Sequence, residues 1–235
     1  MTKQPQTALI TGGNRGIGFA ICQGLLKAGF DVVIGSRSRD KGQAAAAKLS
    51  SSGAQVQVLE LDVANDASID QAARQLTQDC DRLDVLVNNA GVYPDEGVNI
   101  LTISRDLLTH TLNVNTLGTI RVTQAFLPLL EAAGSARVIN YSSGYGQLDG
   151  LSAGVPSYCL SKLAVNGATI MLADALRSRG ISVNAVDPGW VSTDMGGASA
   201  PRTPEQGADT AVWLAAEAPH SETGKLWRDR RKVSF

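Results

Sequence analysis

The chain, 235 residues long, is predicted to fold as one α/β domain, a doubly wound parallel sheet with helices on both faces. Three observations carry that prediction. Short apolar runs with strand character alternate with helical patterns, and strands separated by helices pair in parallel through right-handed crossovers. A glycine-rich turn, Thr11-Gly12-Gly13-Asn14-Arg15-Gly16-Ile17-Gly18, follows the first run and opens the first helix. Hydrophobic content of 43% and charged content of 18% are ordinary for a globular chain, and no linker, repeat or low-complexity segment interrupts it.

Residues 1–6 are expected to form a flexible tail. Thr7 to Ile10 is short, apolar and ends at glycine, as a buried strand should. Ile17, Ala20, Ile21, Gly24, Leu25 and Ala28 then recur at helical spacing until Gly29. Asp31–Ile34 reads as strand, the alanine-rich Gln43–Leu49 as helix, and Val56–Leu61 as strand by alternation. Asp66–Cys80 reads as helix with Asp66 and Ser68 as candidate caps. Leu83–Val87 is a strand ending at Asn88-Asn89-Ala90-Gly91. A helical region spans about 105–133, broken by Pro128. Ala136–Tyr141 is a strand, Ser157–Arg179 a long helix, and Ile181–Val186 a strand stopped by Asp187-Pro188-Gly189. Thr203-Pro204-Glu205 starts a helix through Ala216, and Leu226-Trp227 is expected to be a final edge strand.

The bulk numbers exclude several classes. Net charge is −1 with both signs mixed, which gives no basic surface for nucleic acid or an anionic membrane. Arg228, Arg230, Arg231 and Lys232 form a short cluster interrupted by Asp229 and read as a solvated tail. No uninterrupted run approaches ~18 apolar residues, so no membrane span is expected. Cys22, Cys80 and Cys159 are far apart and lack metal-ligand spacing, which favours reduced thiols and a cytoplasmic setting. Cys159 adjoins Tyr158, but a small packed residue is the simpler reading. His110 and His220 have no partners at metal spacing, so no metal site is expected.

In a doubly wound sheet, ligands bind beyond the carboxyl ends of the strands. The glycine turn lies at such an end. Gly12, Gly16 and Gly18 allow a tight turn and close backbone approach, and the helix N-terminus offers free N–H groups to a pyrophosphate. Alone, a glycine loop can be simple punctuation. At the end of the second strand, an acid would bind the ribose hydroxyl of NAD. Here the run is Gly35-Ser36-Arg37-Ser38-Arg39, with no acid before Asp40. Arg37, with Arg15 from the glycine turn, suits a 2′-phosphate. The competing reading is that Arg37 and Arg39 are solvated loop charges. The balance favours NADP(H).

Tyr158 and Lys162 share a helical face at i and i+4. A cation beside a phenol favours the phenolate, so the Tyr158 pKa is expected to fall and the residue to act as general acid or base. Ser142-Ser143, at the end of a strand, could hydrogen-bond a substrate oxygen, or could be an ordinary turn pair before Gly144.

With these motifs in view, the chain resembles the short-chain dehydrogenase/reductase family, and most closely its carbonyl reductase branch. The segments that carry the resemblance are TGGNRGIG at 11–18, NNAG at 88–91, Asn113-Val114-Asn115-Thr116, Tyr141-Ser142-Ser143, YCLSK at 158–162 and PGWVSTDM at 188–195, in the family's order. The resemblance implies a Rossmann-type domain and carbonyl reduction with NADP(H), reversible to alcohol oxidation. It makes Tyr158 the acid/base, Lys162 the residue that lowers its pKa and binds the nicotinamide ribose, and Ser143 the group that orients the carbonyl. Asn115 is expected at a local helix break, holding a water that connects Lys162 to solvent. Gly12, Asn14, Arg15, Gly16, Ile17 and Gly18 would cradle the pyrophosphate, Asp62 and Val63 would meet the adenine, and Asn89 would line the cleft. Val191 and Thr193 would hold the carboxamide, which implies transfer of the pro-S hydride.

The chain departs from the family pattern in two places. The interval from Ser143 to Tyr158 is longer than usual, and the extra residues within Gly150–Pro156 are expected on the substrate side, which keeps Ser142 as an alternative to Ser143. The segment Gly196–Arg202 is too short for a long lid, so an open pocket is expected, lined by Tyr93, Leu148, Leu151, Trp190 and Met195. Two rival functions are a reductase of carrier-bound 3-oxoacyl groups, which needs a basic docking patch, and a nucleotide sensor without turnover. The resemblance also implies a homodimer or homotetramer packed through the long helices, which carry small and apolar residues such as Leu112, Leu117, Val165, Ala168, Ile170 and Ala173.

Overall fold

The alternating runs do form strands and helices in turn, as a computed structural model that describes residues 5–49, 55–95 and 97–235 establishes. The elements are β1 (Thr7–Thr11), α1 (Gly16–Lys27), β2 (Asp31–Ser36), α2 (Arg39–Leu49), β3 (Val56–Glu60), α3 (Asp66–Asp79) and β4 (Val85–Asn88). They continue with α4 (Arg105–Leu112), α5 (Gly118–Ala125), α6 (Leu127–Ala132), β5 (Arg137–Tyr141), α7 (Pro156–Leu176), β6 (Ser182–Val186), α8 (Pro204–Ala216), β7 (Leu226–Arg228) and β8 (Arg231–Val233).

Among the described residues the strands form one sheet in the order β3-β2-β1-β4-β5-β6-β7-β8. The neighbours from β3 to β7 are parallel, and only β7–β8 is antiparallel. Strand alternation divides the core in two. Ile10, Ile34 and Val87 face α1, α2 and α8, whereas Leu9, Val33 and Leu86 face the side of α3, α5 and α7. The winding reverses between β1 and β4, and the crevice beyond their carboxyl ends is where a ligand belongs.

Several expectations are corrected. The 105–133 region is three helices: a π-helical turn, Asn113–Leu117, separates α4 from α5, and α6 restarts at Leu127 with Pro128 in its first turn. The cap of α3 is Asn65, whose side chain accepts the Ser68 N–H, rather than Asp66 or Ser68. Ser68 serves the preceding turn instead, accepting the Asp62 N–H. Trp227 is not at the sheet edge, because β8 folds back on β7. The basic cluster is therefore a hairpin, not a tail. Three of its cations pair with carboxylates: Arg228 with Asp187, Arg230 with Asp209 and Lys232 with Glu222.

Helix 156–179 has the length and apolar composition of a membrane span, which reading for uninterrupted apolar runs missed. Its residues Ala173 and Leu176 pack into the core beside β6, so one face of it belongs to the domain core. Residues 1–4 of the expected tail lie outside the described residues, and Gln6 already accepts a hydrogen bond from the Asp31 N–H.

Candidate active site

The crevice is built from the ends of β1, β4, β5 and β6. At the end of β1, Gly12 takes φ +66°, a left-handed conformation natural to glycine. A Cβ on Gly18 would sit 2.3 Å from Gly12 O, so only glycine lets the turn close on itself. Helix α1 opens without a side-chain cap or an acid in its first turn. Its leading N–H groups remain available to an anion. A dinucleotide pyrophosphate fits that cradle. Asn14 is half-buried in the turn, and Ile17 packs against the α8 side of the core, so any contribution of Ile17 to a phosphate comes from its backbone.

Arg37 is exposed just beyond the end of β2. Arg15, in the glycine turn, is exposed and pairs with Asp194 of the loop after β6. Thr193 belongs to the same loop, and its methyl group would lie 3.2 Å from a Cβ on Gly16. Val191 is buried behind it. Asp62 caps the turn after β3, accepting the Ala64 N–H, and Val63 is buried against Gly118. Asn89 does more than line the cleft: its amide donates to Thr11 O at 2.9 Å and pins the glycine turn to β4.

The catalytic candidates meet at the ends of β5 and α7. Lys162 is only 5% exposed, and its ammonium donates to Tyr141 O at 2.6 Å. Burial lowers its pKa to about 8. The Tyr158 ring lies 5.5 Å from the Lys162 Nζ, and Ser143 Oγ accepts the Tyr145 N–H at 3.2 Å. The phenol pKa is raised, where the sequence had suggested a fall. Burial of the ring is the largest cause; the Ser143 side chain opposes it, and Asp187, Tyr93 and Cys159 add to the rise. The lysine does not reverse this because its ammonium points at a backbone carbonyl.

Ser142 drops out as an alternative. It is buried, and its hydroxyl donates to Asn166 Oδ1 at 2.6 Å. Asn115 lies in the π-helical turn, so the expected helix break is present, and its side chain accepts the Val92 N–H at 2.8 Å and donates to Ser161 Oγ at 3.0 Å.

The open side of the site is aromatic and apolar. Tyr93 meets the Tyr158 ring edge-on at 4.9 Å. Tyr145, absent from the sequence reading, does so at 6.3 Å. Leu148, Leu151, Trp190 and Met195 are all exposed, and two short 3-10 turns lie in the lengthened segment before Tyr158. Gln147, between those turns, donates to Ser234 O at 2.8 Å, tying the segment to the chain's last residues. The sequence neighbourhood of Tyr145 holds only glycines, and nothing in it signals an aromatic wall. Cys159 is buried and its thiol pKa is raised, chiefly by burial, which supports the packing reading.

A phosphate-binding turn at the switch point and a tyrosine, lysine and serine converging beside it define a nucleotide-dependent oxidoreductase of the doubly wound class. Comparison with known proteins agrees. The family model described as short chain dehydrogenase matches residues 6–203. The chain belongs to that family, close to its carbonyl reductases. It is 34% identical to carbonyl reductase [NADPH] 1 of Sus scrofa, with 100% of this chain and 96% of that protein covered. It is 34% identical to the 3-oxoacyl-[acyl-carrier-protein] reductase of Synechocystis, over 81% of this chain and 76% of that protein. The crystal structure of NADPH-bound carbonyl reductase from chicken fatty liver superposes with a TM-score of 0.89 at 28% identity, covering 99% of each chain.

Proposed function

We propose that the protein is an NADP(H)-dependent carbonyl reductase that converts a ketone or aldehyde to an alcohol, reversibly. The observation that carries this reading is the convergence of Tyr158, Ser143 and Lys162 beside the glycine cradle. NADPH, when bound, supplies the hydride. Gly12, Asn14, Gly16, Ile17, Gly18, Arg37, Asp62, Val63, Asn89, Val191 and Thr193 hold and orient it. Ser143 donates a hydrogen bond to the substrate oxygen, and Tyr158 delivers the proton as that oxygen gains charge. The phenol, its pKa raised by burial, is protonated at neutral pH, as the donor in reduction must be. Lys162 anchors the nicotinamide ribose, and Asn115 positions the Lys162 side of the site through Ser161. Tyr93 and Trp190 wall the substrate side. The protein acts in the cytoplasm as a homodimer or homotetramer.

The test is oxidation of NADPH and NADH against a panel of ketones, aldehydes, quinones and a 3-oxoacyl thioester. Turnover that prefers NADPH and falls at least ~100-fold in Tyr158→Phe, with NADPH still bound, is the expected result. Turnover confined to the thioester would replace this reading with the carrier-bound one. Tight NADPH binding without turnover of any substrate would favour a nucleotide sensor.

A further inference from the structure

Helix α7 carries Tyr158 in its first turn, yet its N-cap residue, Val155, supplies no side-chain hydrogen bond. The leading N–H groups of a helix need acceptors, and Pro156 removes one donor. The others find theirs far away in sequence. The Ser157 N–H and Tyr158 N–H donate to the two oxygens of Asp95, at 3.3 and 2.7 Å, and the Ser157 hydroxyl donates to the same carboxylate at 2.7 Å. Asp95 is 1% exposed. A buried carboxylate is tolerated when hydrogen-bonded and set at the positive end of a helix, and both conditions hold here.

The loop that carries Asp95 also carries Tyr93, whose ring stands 4.9 Å from that of Tyr158. Val92 of the same loop receives and donates hydrogen bonds with the Asn115 amide. Ser157 Oγ lies 2.9 Å from Thr111 Oγ1 of α4. One carboxylate therefore fastens the loop after β4 to the backbone of the residue that transfers the proton. We propose that Asp95 is a positioning residue for the reaction: by closing the N-terminus of α7 from another loop, it sets the Tyr158 phenol against Ser143 and the aromatic wall. The inference rests on the reductase reading above and adds to it a residue that touches neither cofactor nor substrate.

The main variant is Asp95→Asn, which keeps the shape but turns one acceptor into a donor facing an N–H. Small misplacements of a reacting group cost up to ~100-fold in rate. The expected result is a kcat lower by ~10–100-fold, with KM for the carbonyl and Kd for NADPH within about threefold of wild type. Amide hydrogen exchange should quicken in residues 157–160 and stay unchanged in α1. Ser157→Ala, which leaves the Tyr158 N–H bond to Asp95, should lose less. A wild-type kcat in Asp95→Asn overturns the inference, as does parallel loss of kcat and NADPH affinity with faster exchange throughout the chain. If Asp95→Asn does not fold, Ser157→Ala decides: unchanged kcat and unchanged exchange at 157–160 overturn the inference. If wild-type protein turns over no carbonyl, the reductase reading fails separately, and unchanged exchange at 157–160 in the Asp95 variant then overturns the positioning role on its own.

Discussion

Lys162 and Tyr158 place opposite demands on pH. Lys162 titrates at about 8 in the fold against 10.5 for an unperturbed lysine. The unfolded chain therefore holds the extra proton between about 8 and 10.5, and stability should rise with pH across that window. Below it, the full penalty of the buried charge applies. That shift corresponds to about 3 kcal/mol, and loss of the Tyr141 hydrogen bond offsets about 1 kcal/mol of any gain. Lys162→Met should thus stabilise the cofactor-free protein at neutral pH by ~2 kcal/mol while abolishing turnover; urea unfolding at several pH values checks this. The raised phenol has a kinetic counterpart: reduction should stay flat across neutral pH, and alcohol oxidation, which needs phenolate, should climb toward alkaline pH.

The two arginines separate in the same way. Arg37→Ala should weaken NADPH binding ~10–100-fold and leave NADH nearly unchanged, the range expected for a charge-assisted hydrogen bond. Asp194→Asn frees Arg15 and should tighten NADPH a few-fold, since exposed ion pairs are weak. Fluorescence titration of both coenzymes reads each effect. Tyr158, Lys162 and Ser143 were legible because local spacing on a strand end and a helix face implies proximity. Asp194 and Asp95 were not, since pairs so distant in sequence are joined only by folding.

At the level of elements, the glycine turn is the least forgiving. The Cβ of a Gly18→Ala variant would meet Gly12 O at 2.3 Å and Asn89 Nδ2 at 2.6 Å. Backbone cannot yield as a flexible side chain does, so NADPH affinity should fall by more than ~10-fold together with the melting temperature, because the cradle and the β1–β4 pinning distort at once. Strands and helices were legible from their periodicity. The π-helical turn was not: Asn113-Val114-Asn115-Thr116 carries no proline, glycine or charge that marks a break, and only the family resemblance suggested one. The β7–β8 hairpin was also hidden, because Asp229 and Arg230 take positive φ without the glycine that usually marks such a turn.

At the level of the whole molecule, the long helices keep an unburied apolar face. Leu117, Ile170 and Met171 are exposed, whereas Val165, Ala168 and Ala173 are buried. The sequence pattern could not sort these two sets, since both have the composition of a core. Met171→Glu should convert the proposed oligomer to a monomer in size exclusion with light scattering, with cofactor binding retained.

The bond from Gln147 to Ser234 O spans this same scale, joining the chain's last residues to the segment that frames Tyr158. Removing that donor with Gln147→Ala should let the 3-10 turns before Tyr158 exchange their amide hydrogens faster while α1 stays unchanged.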